Sequence, residues 1–125
     1  MLPLGAFLKE LYMIHSFKLD LGPFISIKSK QKDIEMRLYD EKRKVIKKGD
    51  LINFYCLENN ESMMCEVVDL HIYKTFDELY SHFDKTRLGY KKDQIAHPDD
   101  MHKYYSPERI AQYGVVGIEI KLLEE

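Results

Sequence analysis

The chain has 125 residues, 45% of them hydrophobic and 32% charged, with a formal net charge of −2. One ordinary domain fits that length, and its apolar fraction fills one core, so neither disulfides nor a metal is needed to hold it. The total charge does not mark a polyanion-binding protein, and no apolar run reaches the length of a membrane span, so no membrane partner is expected. Charge is unevenly distributed, however. Residues 28–50 carry nine Lys/Arg against five Asp/Glu, an excess of four positive charges, whereas residues 51–125 carry eight against fourteen. A local basic stretch steers an anionic ligand even on a near-neutral protein. Cys56 and Cys65 are too few for a disulfide framework and fit a reduced, cytoplasmic thiol pool, as two small apolar strand residues on either side of a hairpin turn.

The first twelve residues, with the apolar run Leu2–Leu8 broken by Lys9-Glu10, lack a basic leader and do not read as a secretory signal. They are expected to be an extension outside the domain at 13–125, either a short appended helix or the product of an upstream start site. Ile14 to Leu19 alternates and reads as an edge strand. Gly22-Pro23 breaks it, with Pro23 expected as the first residue of a helix carrying Phe24, Ile25 and Ile27. Ile34, Met36 and Leu38 alternate with Glu35, Arg37 and Tyr39, which predicts a strand with one apolar and one polar face. Asp40 to Lys44 is expected to be a charged loop, and Lys48-Gly49-Asp50 a tight turn into a strand over 51–57. Asn59-Asn60-Glu61 turns the chain back into a long strand over 63–73. Thr75 and Glu78 form a capping box for a helix with Phe76, Leu79, Tyr80 and Phe83 on one face. Met101, Tyr104 and Tyr105 suggest one short helix. Ser106-Pro107 caps another that Gly114 closes, before a last strand over 115–122. Four or five mostly antiparallel strands with helices over one side predict an α+β fold, a small and partly closed β-barrel.

Two blocks carry a resemblance. Lys32-Asp33-Ile34-Glu35-Met36-Arg37-Leu38-Tyr39-Asp40-Glu41-Lys42-Arg43 is followed by Ile46-Lys47-Lys48-Gly49-Asp50-Leu51-Ile52-Asn53-Phe54. Together they resemble the ASCH family, in which a Lys-x-Ile-Glu-x-Arg strand leads through a charged loop to a Gly-Asp turn. Tyr113-Gly114-Val115-Val116-Gly117-Ile118-Glu119-Ile120 is similar to the family's closing strand. The resemblance spans roughly residues 13–122. It implies a PUA-like barrel with a cleft beside the helix after the first strand, and RNA or a nucleotide-like ligand. One branch of small ASCH proteins hydrolyses N4-acetylcytidine with a lysine, a threonine two positions before an arginine, and a distant glutamate. Lys32 matches the lysine and Arg37 the arginine, whereas Glu35 occupies the threonine position.

The residues themselves suit nucleotide recognition. Arg37 offers a planar fork for a phosphate or a base edge. Glu35 accepts from an exocyclic amine, or acts as a general base if burial raises its pKa. Lys42 and Arg43, with Lys44, Lys47 and Lys48, are expected to form a basic rim that holds phosphates, while a solvated loop with Asp40 paired to Arg43 is the equal alternative. Tyr39 is the expected stacking aromatic among Tyr39, Tyr73, Tyr90, Tyr104 and Tyr105. The segment His97-Pro98-Asp99-Asp100-Met101-His102 has metal-ligating residue types at no established spacing, and a helix start capped by Asp99 or Asp100 explains it. His71 reads as a satisfied strand histidine. No metal and no cofactor is expected. The leading expectation is an RNA- or nucleotide-binding module lined by Lys32, Glu35, Arg37, Tyr39, Lys42 and Arg43. The alternatives are a small hydrolase acting on a modified nucleoside or on RNA, with Lys32 and Glu35 as its catalytic pair, and a protein-interaction adaptor using a tyrosine-rich surface.

Overall fold

The computed structural model describes residues 13–124, and the N-terminal extension expected over 1–12 lies outside them. The elements run β1 (Ile14–Lys18), α1 (Leu21–Lys28), β2 (Ile34–Leu38), α2 (Glu41–Lys44), β3 (Leu51–Cys56), β4 (Glu61–Tyr73), α3 (Phe76–His82), a 3-10 helix (Pro98–Lys103), α4 (Pro107–Tyr113) and β5 (Val115–Leu122). All five strands join one sheet in the order β1-β3-β4-β5-β2. Three of its pairings are antiparallel; β1 runs parallel to β3, with Phe17 opposite Phe54. The sheet curls into the half-barrel of a PUA-like α+β domain. A bulge between Val67 and Asp69 interrupts the β4–β5 register, and such an extra residue sharpens the local bend of a strand.

Period-2 alternation sorts the side chains into two cores. Inside the curl, Phe17, Ile52, Phe54, Cys65, Val67, Val116, Ile118 and Ile120 pack with Phe24 and Ile27 of α1. On the opposite face of β2, Ile34, Met36 and Leu38 pack with Phe76 and Leu79 of α3, Met101 of the 3-10 helix and Ile110 of α4. The helices therefore divide between the two faces, where the sequence suggested one side. Hydrophobicity alone gives a helix a buried stripe but not the face of the sheet that receives it. Burying each of these large side chains contributes on the order of 1.5–3 kcal/mol. Gly117 permits the outer packing, because a Cβ there would stand 3.1 Å from Ile34 Cγ2 and 3.3 Å from Leu79 Cδ1.

Local signals mostly hold. The Thr75 hydroxyl accepts from the Glu78 amide at 3.2 Å, and Ser106 accepts from the Arg109 amide at 3.3 Å. Three details differ. The first helix starts at Leu21, so Pro23 is its third residue, still within the turn whose amides lack intrahelical acceptors. Residues 41–44 form a helical turn rather than a loop, because the Asp40 carboxylate caps it by accepting from the Arg43 amide. The 3-10 helix is capped by His97, whose Nδ1 accepts from the Asp99 amide at 3.0 Å, and not by Asp99 or Asp100. Cys56 lies opposite Glu61 and Cys65 opposite Ile52, so the two thiols do not face each other and both remain free and buried. Among the described residues no helix is long and apolar enough to cross a membrane.

Gly114 closes α4 at φ 71° and ψ −170°, a region essentially reserved for glycine, and a Cβ would lie 3.0 Å from the Tyr73 carbonyl oxygen. Gly114→Ala is expected to lower stability by about 1–3 kcal/mol in urea denaturation. A change below ~0.5 kcal/mol would mean that the α4–β5 junction relaxes freely.

Candidate functional site

The half-barrel leaves β1 and β2 as its two edges, and a cleft of about 1220 Å³ opens beside them. On one side α1 forms its wall through Pro23, Ile25, Ser26 and Ser29; on the other lie the 88–95 loop and the 3-10 helix. Its floor is the face of β2 that the sequence marked as polar. That face turns inward, so Glu35 is only 3% exposed and Lys32 7%.

Local folding delivers each floor residue. After α1 the chain turns through Lys30 in the left-handed region (φ 69°), and the amides of Gln31 and Lys32 both donate to the Ser26 carbonyl at 3.1 Å. This folds Lys32 back over the cleft. Its aliphatic stem crosses Gly89, where a Cβ would stand 3.1 Å from Lys32 Cδ and where φ is +108°. Gln31 Nε2 donates to the Tyr90 carbonyl at 3.0 Å and ties the 88–95 loop to the same turn. Lys32 Nζ lies 3.0 Å from Glu35 Oε1. Arg37 donates from Nε and Nη2 to Glu35 Oε2 at 3.0 and 2.9 Å. The same Nη2 reaches across the open side of the barrel to the Lys18 carbonyl of β1, at 3.0 Å. One carboxylate thus holds two cations, and one of those cations links the two sheet edges.

The electrostatics follow from that arrangement. Burial raises the Glu35 pKa, but the adjacent Lys32 and Arg37 charges and their hydrogen bonds outweigh it, and the carboxyl stays below its ordinary value. Burial likewise works against the Arg37 cation, and Glu35, then Tyr105, more than compensate, holding its pKa above the usual value. A general base acting near neutrality needs a raised carboxyl pKa. Glu35 has the opposite shift, so the condition attached to its basic role is not met. Cys65 lies within the influence of Glu35, and burial first, then that charge, push its thiol up to about 12.

Not every residue expected from the sequence gathers here. Lys32, Glu35 and Arg37 line the cleft, as do Tyr90, Tyr104 and Tyr105. Tyr39 does not; its ring packs against the inner core beneath Lys44 Nζ, 5.7 Å from the ring centroid. Lys42 and Arg43 also lie outside the lining. They stand over the Phe17 ring at 5.9 and 5.4 Å, on the ring that Arg37 covers at 4.7 Å, and Arg43 pairs with Asp40 at 2.8 Å. The rim cations are instead Lys18, Lys91 and Lys103, none of which has a carboxylate within 4.0 Å among the described residues. Five lining cations (Lys18, Lys32, Arg37, Lys91, Lys103) face three carboxylates (Asp20, Glu35, Asp100), a local +2 on a chain of net −2. No spacing rule announces Lys18, Lys91 and Lys103, because they come from a strand end, a loop and a 3-10 helix. Tyr80 was read only as part of a helix face.

A second group lies away from the cleft. Asp69, His71 and Glu119 converge on the β4–β5 pair, with their ligand-type atoms within 4.8 Å of one another. His71 Nε2 contacts Glu119 Oε1 at 2.9 Å, which satisfies the histidine as expected. Lys48 lies 3.1 Å from Asp69 and Arg87 3.7 Å from Glu119, so both carboxylates already serve ion pairs.

Removing the floor carboxylate tests its structural role. Glu35→Gln leaves Lys32 and Arg37 buried without their shared anion, and a loss of about 3–5 kcal/mol in urea denaturation is expected. Because the folded-state pKa is depressed, the contribution of Glu35 is present above its ordinary value of 4.5 and is lost as pH falls below it. The variant is therefore expected to show a flatter acid limb of stability against pH. Parent-like stability at neutral pH would refute this role.

No curated protein matches the chain. Solved structures do, two of them as follows. A crystal structure of a hypothetical protein, PH0355, is 30% identical, with a TM-score of 0.74 over 89% of this chain and 99% of that one. The solution NMR structure of protein PF0455 from Pyrococcus furiosus is 31% identical, with a TM-score of 0.69 over 90% of this chain and all of that one. The ASCH domain family matches residues 22–124, which takes in α1, the cleft floor, the 88–95 loop and the closing strand. The chain belongs to the ASCH domain family.

Proposed function

We propose that this ASCH domain binds RNA or a nucleotide in the cleft over Lys32, Glu35 and Arg37. The observation that carries this reading is the inverted charge. A chain of net −2 gathers a net +2 around one cleft, with two of its cations fixed in place by a buried carboxylate. Fixing cations in advance spares a ligand the cost of ordering them, and a low-dielectric floor strengthens their pull on phosphate. Tyr104 and Tyr105 give a bound base flat surfaces at the mouth. Free lysines at the rim supply contacts to a backbone that continues beyond the cleft.

Two features favour binding over hydrolysis. Glu35 holds its proton-free form against both cations, and it stands where the hydrolytic branch that the sequence resembles has a hydroxyl. The hydrolase reading predicts turnover of N4-acetylcytidine that depends on Lys32.

An NMR titration of the labelled protein with a short single-stranded RNA, and separately with N4-acetylcytidine, tests both readings. Shifts are expected at Ser26, Lys32 to Arg37 and residues 88–105, with no product. Lys91→Ala and Lys103→Ala, both at exposed sites, are each expected to weaken RNA binding and to reduce the slope of log K against log salt by about 0.7. Product accumulating in the parent and absent in Lys32→Ala would establish the hydrolase instead. No shift with either ligand would sink the nucleotide reading and leave a protein adaptor.

A further inference from the structure

Beside the cationic floor, along the 88–95 loop and the 3-10 helix, the cleft has a wall with the reverse hydrogen-bonding character. Tyr80 Oη and Tyr90 Oη are 2.8 Å apart, and Tyr90 Oη lies 2.7 Å from Asp100 Oδ2. All three side chains line the cleft, Tyr80 from α3, Tyr90 from the 88–95 loop and Asp100 from the 3-10 helix. The Tyr90 bond holds the Asp100 carboxyl below its ordinary pKa, so it is an anion that can only accept. A phenol has one proton, and that of Tyr90 therefore goes to Asp100. The Tyr90 oxygen must then accept from Tyr80, which spends the single proton of Tyr80 as well. The order of donation, Tyr80 to Tyr90 to Asp100, is fixed by counting. What the wall presents to the cleft is lone pairs, those of the Tyr80 oxygen and of the Asp100 carboxylate.

The floor is the complement. The Glu35 oxygens are occupied by Lys32 and Arg37, so what the floor has left to give is N–H, chiefly from the Lys32 ammonium. A ligand that satisfies both sides carries an acceptor or anion toward β2 and a donor toward the 3-10 helix. A phosphate in contact with the Asp100 carboxylate and these lone pairs is disfavoured, while the floor cations and the rim lysines Lys91 and Lys103 attract it. The donor end of a nucleotide is thereby the end that suits the Tyr80–Asp100 oxygens.

Resting on the nucleotide reading above, we propose that Tyr80, Tyr90 and Asp100 form an acceptor subsite that selects a nucleotide by a hydrogen-bond donor, while its phosphate meets the cations of the cleft. That donor is an amino group of the base or a ribose hydroxyl, and the shared chemistry is an O–H or N–H aimed at oxygen lone pairs. A site built to pair with a donor discriminates against analogues lacking it, because the half-buried Tyr80 oxygen then goes without that partner.

The test uses isothermal titration of the full chain with CMP, UMP, AMP, IMP and 2′-deoxy-CMP. CMP against UMP, and AMP against IMP, exchange an amino group for an oxo group at nearly constant shape; CMP against 2′-deoxy-CMP removes a hydroxyl. A preference on the order of tenfold is expected for the amino nucleotides if the base reaches the wall, or for the ribonucleotide if the sugar does. Asp100→Asn, whose carboxamide donates as well as accepts, is expected to erase that preference while keeping phosphate-dependent binding. Tyr80→Phe removes one lone-pair oxygen and leaves the Tyr90–Asp100 bond in place, and it is expected to reduce the preference. Amide spectra of both variants check that each is folded. Equal affinity for all five nucleotides in the parent, or a preference unchanged in Asp100→Asn, overturns the subsite and leaves the nucleotide reading standing. Absence of binding by every nucleotide overturns both.

Discussion

A single carboxylate organises this protein. Glu35 is buried, ionised and bonded through both oxygens, one to Lys32 and the other to Arg37. Without it, two cations would have no place inside the mouth of a barrel. With it, Arg37 is oriented so that its second terminal nitrogen reaches the β1 backbone and bridges the side of the sheet that backbone hydrogen bonds leave open. The side-chain triad substitutes for the missing pairing between β1 and β2, and it does so at the spot where a cleft is needed. Closing the barrel with backbone bonds would have removed the cleft; leaving it wholly open would have exposed two edges to unwanted pairing.

That economy has a chemical consequence. A carboxylate saturated by cations makes a poor proton acceptor, and its service is to keep the donors pointed. The floor therefore works as a fixed array of N–H groups, and the cleft owes its other half to elements remote in sequence. The 88–95 loop is bound to the α1–β2 turn through Gln31, and the 3-10 helix is bound to that loop through Tyr90. Each part of the cleft leans on the next through these hydrogen bonds, and Leu88 and Met101 anchor the loop and the 3-10 helix in the outer core.

The legibility of the sequence follows the range of the interactions. Strands and helices whose signals are local were readable: alternation in β2, the Thr75 and Ser106 caps, the Asn59-Asn60 turn. The Lys32, Glu35 and Arg37 cluster was readable too, since Glu35 and Arg37 share one strand face and Lys32 lies in the turn three positions before Glu35. Tyr39 shares that face, yet it misses the cleft. The face runs from the cleft mouth into the inner core, and position along a curved strand decides which environment a residue meets. Lys42 and Arg43 form the densest basic cluster in the sequence, but the capped turn of α2 lays them over Phe17, while the cations that ring the cleft come singly from three distant elements. Composition finds clusters in sequence; only topology makes clusters in space. The parallel pairing of β1 with β3 was invisible for the same reason, as nothing in either strand encodes direction.

The strand order also fixes when the cleft can exist. β2 has one backbone neighbour, β5, and their register pairs Ile34 with Glu119, 85 positions apart in the chain. The strand bearing Glu35 and Arg37 has no sheet to join until the farthest strand arrives, because β1, β3 and β4 can assemble among themselves without it. During synthesis Arg37 of β2 therefore spends most of the chain's emergence without its place in the sheet. Loop closure of that length is slow compared with the local hairpin of β3 and β4. The cleft floor is therefore joined to the sheet only by the strand that is made last.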